Sequence, residues 1–380
     1  MRRKRASALR LSRIYRGCKA RKVRSENSHR KLDALPARRR ERSFKKIAIL
    51  RFSSLGDIVL TSPLLTTFRN QFPDTDIVYV TKKLFAGILA EDPRIDRLIQ
   101  IEATTSLSSL IAELRAEGVD AILDLHGKLR GLALRLCHPF TPSTVVPKPT
   151  RVQQFLVRNT LIPFRPKHTI VERYYQAAEK LMREPLKREP LSLTVPDSSY
   201  AEFAKASPIP LDELRESYLL MPGAQWPTKR WPIERYVSVA HELRARGVNI
   251  VSAGGPNEEN LLKELEEKGG VPALPLIEMK LLPALIASMR GFIGHDSGPM
   301  HIARAVGTPT LAIFGPTPSS QFDFNGHQLV ERPQPCSPCH FYGRKKCPKR
   351  HFKCMSDIQP DDIITAFESL PKERSLPVLF

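Results

Sequence analysis

The sequence predicts an α/β protein built from two Rossmann-like halves, and three observations carry that prediction. Short apolar runs alternate with longer amphipathic stretches, which is the signature of βα units on a parallel sheet. The alternation stops once, at a proline-rich interval, and then begins again. Each half also sets a glycine-bearing polar turn directly after a strand, where doubly wound sheets bind ligands.

In chain order, KKIAILRF (45–52) reads as the first buried strand. A helix beginning near Asp57 puts Leu60, Leu64 and Phe68 on one face, and DIVYVT (76–81) is the second strand. RLIQI (97–101) and AILDLHG (121–127) continue the series, and the stretch from His168 to Met182 has helical period. Pro185, Pro190, Pro196, Pro208 and Pro210 then interrupt the chain, as an interdomain connection does. The second series runs through SYLLMPGA (217–224), a helix from Ile233 to Arg246, NIVSAGG (249–255) and helices from Asn257 and Leu281. It ends with GFIGHDSG (291–298), TPTLAIFG (308–315) and a terminal amphipathic helix in 357–370. The expected boundaries are a basic, disordered tail at 1–44, an N-terminal half at 45–205, a C-terminal half at 206–356 and a helical end at 357–380.

The chain has 380 residues, 41% hydrophobic and 26% charged, enough for two sizeable cores. No apolar run approaches the roughly 18 residues of a membrane span, so a transmembrane or fibrous protein is excluded. The net charge of +21 is uneven: residues 1–44 hold 17 Lys and Arg against 3 acids, and residues 45–380 hold 43 against 36. Basic residues interrupt what would be the apolar core of a secretory signal, so a cytoplasmic location is expected. A basic arm suits phosphate-rich surfaces, either anionic lipid or nucleic acid. The tail offers only Tyr15 and Phe44 for base stacking and no recognition module, so nucleic acid is not an expected partner.

Three turns could carry chemistry. In Ser53 to Asp57, Gly56 permits a close approach, and Asp57 suits either a general base or a helix N-terminal residue held by the dipole. In Pro222 to Pro232, Lys229 and Arg230 precede Trp231-Pro232 at a helix start, where a diphosphate fits, although a solvated basic pair beside a packed Trp231 has the same pattern. In Gly294 to His301, Ser297, Gly298 and the following N–H groups form a candidate phosphate cradle, with Asp296 and His301 open to capping or core roles instead. None of these is the dinucleotide fingerprint or the P-loop, so neither a dinucleotide-dependent oxidoreductase nor an ATPase is supported.

Taken together and in order, ILRFSSLGDIVLTSPL (49–64), LDLHGKLR (123–130), HTIVERY (168–174), MPGAQWPTKRWP (221–232), SAGGPNEE (252–259) and FIGHDSGPMHIARAVGTPTLAIFGPT (292–317) resemble glycosyltransferase family 9. These are the ADP-heptose:lipopolysaccharide heptosyltransferases, and the likeness runs from about Lys45 to Leu370. The resemblance implies a GT-B architecture, two Rossmann-like domains facing a central cleft, with acceptor on the N-terminal side and nucleotide sugar on the C-terminal side. It implies an inverting transferase that moves heptose from ADP-heptose to a lipopolysaccharide inner-core acceptor at the cytoplasmic face of the inner membrane, with no cofactor for catalysis. Asp57 matches the catalytic base and Lys229 the phosphate-binding lysine, while Asp296, Ser297, Gly298 and Met300 match the diphosphate and sugar loop. Met279 falls near the nucleobase and Glu258 near the ribose. On the acceptor side stand Ser54, Gly56, His126, Lys128 and Arg130, whose cations suit an anionic inner core or a solvated helix start. Ala224, Gln225 and Thr228 replace hydroxyls found before the lysine in some members, which leaves another nucleotide sugar or acceptor open.

Four of six cysteines, Cys336, Cys339, Cys347 and Cys354, fall in one C-x₂-C-x₇-C-x₆-C segment (336–354). That spacing suits either a structural zinc or a loop of free thiols, and Cys18 and Cys137 have no such context.

Overall fold

The computed structural model describes residues 43–371, so the expectations for the basic tail and for the last nine residues fall outside the described part. The first sheet is formed by β1 (Lys46–Leu50), β2 (Asp76–Lys82), β3 (Arg97–Ile101), β4 (Ala121–Asp124) and β5 (Ser143–Val145), all parallel, in the order β3-β2-β1-β4-β5. The second is formed by β6 (Ser217–Met221), β7 (Asn249–Ser252), β8 (Gly291–His295), β9 (Thr310–Phe314) and β10 (Gln328–Glu331), again parallel, in the order β10-β9-β8-β6-β7. Central strands such as β1, β8 and β9 are buried on both faces because helices cover both sides of a parallel sheet, which is why they read as unbroken apolar runs.

Chain direction across each sheet reverses once, between β1 and β4 in the first and between β6 and β8 in the second. Ligands in open α/β sheets bind outside the carboxyl ends of the strands at such switch points. The turns after β1, β4, β6 and β8 are the ones that carry Asp57, His126, Lys229 and Asp296.

Helix starts follow ordinary capping. Ser106 accepts the Ser109 N–H at the head of Leu107–Ala116, and Thr169 accepts the Glu172 N–H at the head of Ile170–Met182. The two sheets share one apolar cluster that runs from Leu55 and Ile58 to Met300, Ile302 and Ala303. The short helix Leu55–Val59 therefore packs directly on Gly298–Ala305, and glycine makes that approach possible. A Cβ on Gly298 would lie 2.6 Å from Leu55 Cδ2.

Candidate active site

Asp57 stands in the first turn of Leu55–Val59, three residues after its cap Ser54. The helix-terminal reading of this position is met in its bonds. Its Oδ2 accepts from Ser54 N–H at 3.2 Å and Ser54 Oγ at 2.8 Å, closing a capping box, and pairs with the Arg51 guanidinium. Among the described residues every hydrogen bond and ion pair of the Asp57 carboxylate falls on Oδ2, while the Asp57 carbonyl accepts from Tyr174 Oη at 3.4 Å. Burial alone would raise its pKa, but the Arg51 charge and the Ser54 bonds outweigh it and hold the carboxyl below its ordinary value. Arg51 is fixed in turn by the Leu125 carbonyl and by the Tyr174 ring, 5.7 Å away.

Asp124, at the end of β4, organises the neighbouring turn. Its Oδ1 accepts the N–H groups of His126 at 3.0 Å and Gly127 at 2.7 Å, and its other oxygen lies 3.3 Å from Arg135 Nε. Burial first, and then Arg51, Lys128 and Lys148, lower the His126 pKa to about 3, so the ring is neutral. His126 packs on Phe52 with ring centroids 4.9 Å apart. Lys128 is an exposed helix cap. Arg130 is partly tied down. It donates to the Thr105 carbonyl at 3.2 Å, so its guanidinium ties this helix to the turn after β3. Sequence reasoning missed Lys148, whose ammonium donates to the carbonyls of His126 at 2.7 Å and Gly127 at 2.6 Å. Partial burial and the cations Arg51 and Lys128 bring its pKa down to about 8.

Across the junction, Lys229 ends a single 3₁₀ turn and reaches Asp296, with Nζ 2.6 Å from Oδ2 and 2.9 Å from the Asp296 carbonyl. Thr317 Oγ1 donates to the same Oδ2 at 2.6 Å, and His301 Nε2 lies 3.8 Å from Oδ1. Burial opposes ionisation of Asp296, but Lys229 and His301 prevail and hold it far below the ordinary carboxylate range. The Lys229 loop is anchored by His295, which accepts the Trp231 N–H at 2.8 Å and stands 3.3 Å from the Gly223 carbonyl. Burial lowers the His295 pKa to about 4, so it too is neutral. Trp231 is buried, donates to the Ile358 carbonyl, and serves packing. Arg230 donates to the Ala224 carbonyl at 2.8 Å, which shapes its own loop.

Ser297 caps Gly298–Ala305 without a side-chain cap bond, so its hydroxyl and the first N–H groups of the helix remain for an anion. Met300 stands in the same turn. Its side chain is wholly buried in the shared apolar cluster, and only its N–H, in the first helical turn, is placed to meet a ligand. Glu258 caps the helix Glu259–Gly269, accepts the Gly255 N–H at 2.8 Å, and occupies the space a Gly223 side chain would need. Met279 is half-buried against the shared cluster at the start of a 3₁₀ turn.

Cys336, Cys339, Cys347 and Cys354 line one small cavity with His351, yet among the described residues no three His, Cys, Asp or Glu are gathered closely enough to hold a metal ion. Burial pushes the thiols of Cys339 up to about 11 and Cys354 up to about 12. Backbone bonds hold the segment instead. Arg344 N–H donates to Thr228 Oγ1 at 2.8 Å, and the N–H groups of Cys339 and His340 donate to the Pro316 carbonyl, so the segment braces the loops that follow β6 and β9.

The comparisons agree with this geometry. The model of glycosyltransferase family 9 (heptosyltransferase) matches residues 107–345. The lipopolysaccharide heptosyltransferase 3 of Escherichia coli K12 is 29% identical over 349 residues, covering 84% of this chain and 96% of that protein. Two solved structures share the fold. A family 9 glycosyltransferase of Veillonella parvula superposes with a TM-score of 0.66 at 22% identity, over 86% of this chain and 96% of its own. The E. coli ADP-heptose lps heptosyltransferase II gives 0.65 at 19%, over 85% and 98%. The matched stretch takes in the turn at His126 and every donor-side loop, the two parallel sheets have the GT-B arrangement, and the chain belongs to glycosyltransferase family 9.

Proposed function

We propose that this transferase moves a heptose from ADP-heptose onto a lipid-carried inner-core acceptor of lipopolysaccharide, with inversion at the anomeric carbon. One observation carries the reading: Asp57 and the Lys229–Asp296 pair approach each other through a single relay, in which Gly56 touches His301 and His301 faces Asp296. The half up to about residue 205 takes the acceptor, and residues 206–356 take the nucleotide sugar.

In the step, the acceptor hydroxyl oxygen forms a bond to the anomeric carbon while that carbon's bond to the diphosphate oxygen breaks. The hydroxyl proton passes to Asp57 Oδ1, and ADP departs with the bonding pair. Lys229, Ser297 Oγ and the free N–H groups of Gly298 and Met300 meet the charge that grows on the diphosphate, where preorganised donors contribute most. Glu258 is placed for the ribose and Met279 for the base, and Ser54 positions Asp57. Lys128 and Lys148 offer a basic border to an anionic acceptor, with the neutral His126 ring beside them as a polar contact. The names of relatives support the donor: one structure of similar fold is titled an ADP-heptose lps heptosyltransferase.

The test is transfer from ADP-heptose to heptose-deficient core acceptor, run beside calorimetric titrations with ADP, UDP, GDP and CMP. Selective ADP binding with product formation sustains the reading. Preference for another nucleotide would favour the second reading, a different nucleotide sugar, for which the replacements Ala224 and Gln225 speak.

A further inference from the structure

Nine of the thirteen large apolar side chains that stand exposed among the described residues fall between Leu129 and Ile162. Isolated exposed apolar residues are ordinary, whereas a cluster marks an interaction surface. Leu129, Leu132 and Leu136 recur at intervals of three and four along one helix, Leu129–Leu136, and therefore form one stripe; the outer two are 84% and 69% exposed. Phe140, in the turn that follows, is 99% exposed. Beyond the edge strand β5, the helix Arg151–Arg158 presents Val152 and Phe155, three residues apart and both open to solvent.

The charge of the same stretch is as one-sided. Residues 125–171 contain eight Lys and Arg and no Asp or Glu. Subtracting them from the 43 cations and 36 acids of residues 45–380 leaves 35 against 36, so this stretch supplies the whole positive excess outside the tail.

We propose that the exposed apolar and basic side chains of residues 129–162, which precede and follow the edge strand β5, dock on an anionic bilayer surface. A bilayer offers acyl chains to Leu136, Phe140 and Phe155 and phosphate to the cations between them. A second copy of the chain would set the same cation-rich stretch against itself, and like charges facing each other oppose that pairing. Nucleic acid would satisfy the cations and leave the leucines and valines in water. The Leu129–Leu136 helix starts two residues after His126-Gly127, so the docked face borders the acceptor side of the site. Its meaning for catalysis rests on the lipid-carried acceptor proposed above, but its existence does not.

The experiment is co-sedimentation of the full chain with vesicles of phosphatidylethanolamine and phosphatidylglycerol, with phosphatidylcholine alone as control, at low and high salt. Two variants accompany it: Phe140→Asp with Phe155→Asp, and Arg151→Glu with Arg165→Glu. Binding to the anionic vesicles that falls about tenfold in each variant, with ADP binding unchanged, supports the face. Wild-type indifference to anionic vesicles overturns it, and so do variants that bind as well as wild type, which would assign the attraction to residues 1–44. A dimer without vesicles that becomes monomeric in the variants also overturns it, in favour of self-association. Lost heptosyl transfer with intact vesicle binding would instead count against the proposed reaction alone.

Discussion

A Cβ placed on Gly56 would lie 2.4 Å from Cδ2 of His301, so the two halves touch beside the site at a position with room only for hydrogen. His301 cannot easily yield. It is buried, packs on Phe322 with ring centroids 4.7 Å apart, and faces Asp296. Gly56→Ala is therefore expected to lower stability by about 1–3 kcal/mol through overpacking and to reduce turnover by displacing Asp57 or Asp296. Thermal unfolding and transfer rate measured together check this. A variant as stable and active as wild type would show that the junction opens readily.

The Lys229–Asp296 pair is nearly buried, with side chains 13% and 8% exposed. Removing the cation leaves a carboxylate with Thr317 as its close donor, and breaking such a pair commonly costs about 3–5 kcal/mol. Lys229→Ala should thus lose stability as well as transfer. Adding Asp296→Asn to it should restore most of the stability and none of the transfer. A double-mutant cycle with unfolding and turnover as parallel readouts separates the roles, and recovery of both together would make the pair purely structural.

Much of the fold was legible, and the reasons are physical. The central strands β1, β8 and β9 are buried on both faces and advertise themselves as apolar runs, whereas the edge strands β5 and β10 are short and half-exposed and left no such mark. Asp57, Lys229 and Asp296 could be found because each follows a strand at a switch point. Arg51, Lys148 and His301 act on groups brought near only by folding. Arg51 looked like the end of a strand and Lys148 like a cation between prolines, while His301 was open to a capping or core role without a sign of its partner. Asp124 was hidden for the same reason, since its partners are the backbone of the turn it shapes. The cysteine spacing suited either zinc or free thiols, because spacing permits a centre without requiring the chain to close around one, and among the described residues no three metal-binding side chains are grouped.

Stability should fall as the solution is acidified from neutrality. Burial first, then neighbouring cations, depress His126 to about 3 and His295 to about 4 from the ordinary 6.5, and burial depresses His301 as well. Between 6.5 and about 4 the unfolded chain binds protons that the folded chain refuses, so folding free energy declines with falling pH on the order of 1 kcal/mol per unit for each histidine. Above 6.5 these groups contribute no slope. Urea midpoints at pH 7.5, 6 and 5 measure the effect, and His295→Gln should flatten it while weakening the Trp231 anchor. A midpoint constant across that range would contradict the neutral, buried state of these rings.

Asp57→Asn keeps an oxygen for the Ser54 capping bonds but removes the proton acceptor. Transfer should drop about 10²–10⁴-fold with ADP affinity preserved, because the proposed nucleotide contacts lie on the other half. The more discriminating variant is Arg51→Met. Arg51 holds Asp57 ionised, so in wild type the acid limb of kcat/KM should lie below the ordinary carboxylate value of about 4. Without the guanidinium, burial is left to act on Asp57 with only Ser54 opposing it, and the acid limb should move upward. A pH–rate profile of both proteins reads this directly. A limb that stays in place while overall activity falls would mean that Arg51 only braces the turn at Leu125, and that another group takes the proton.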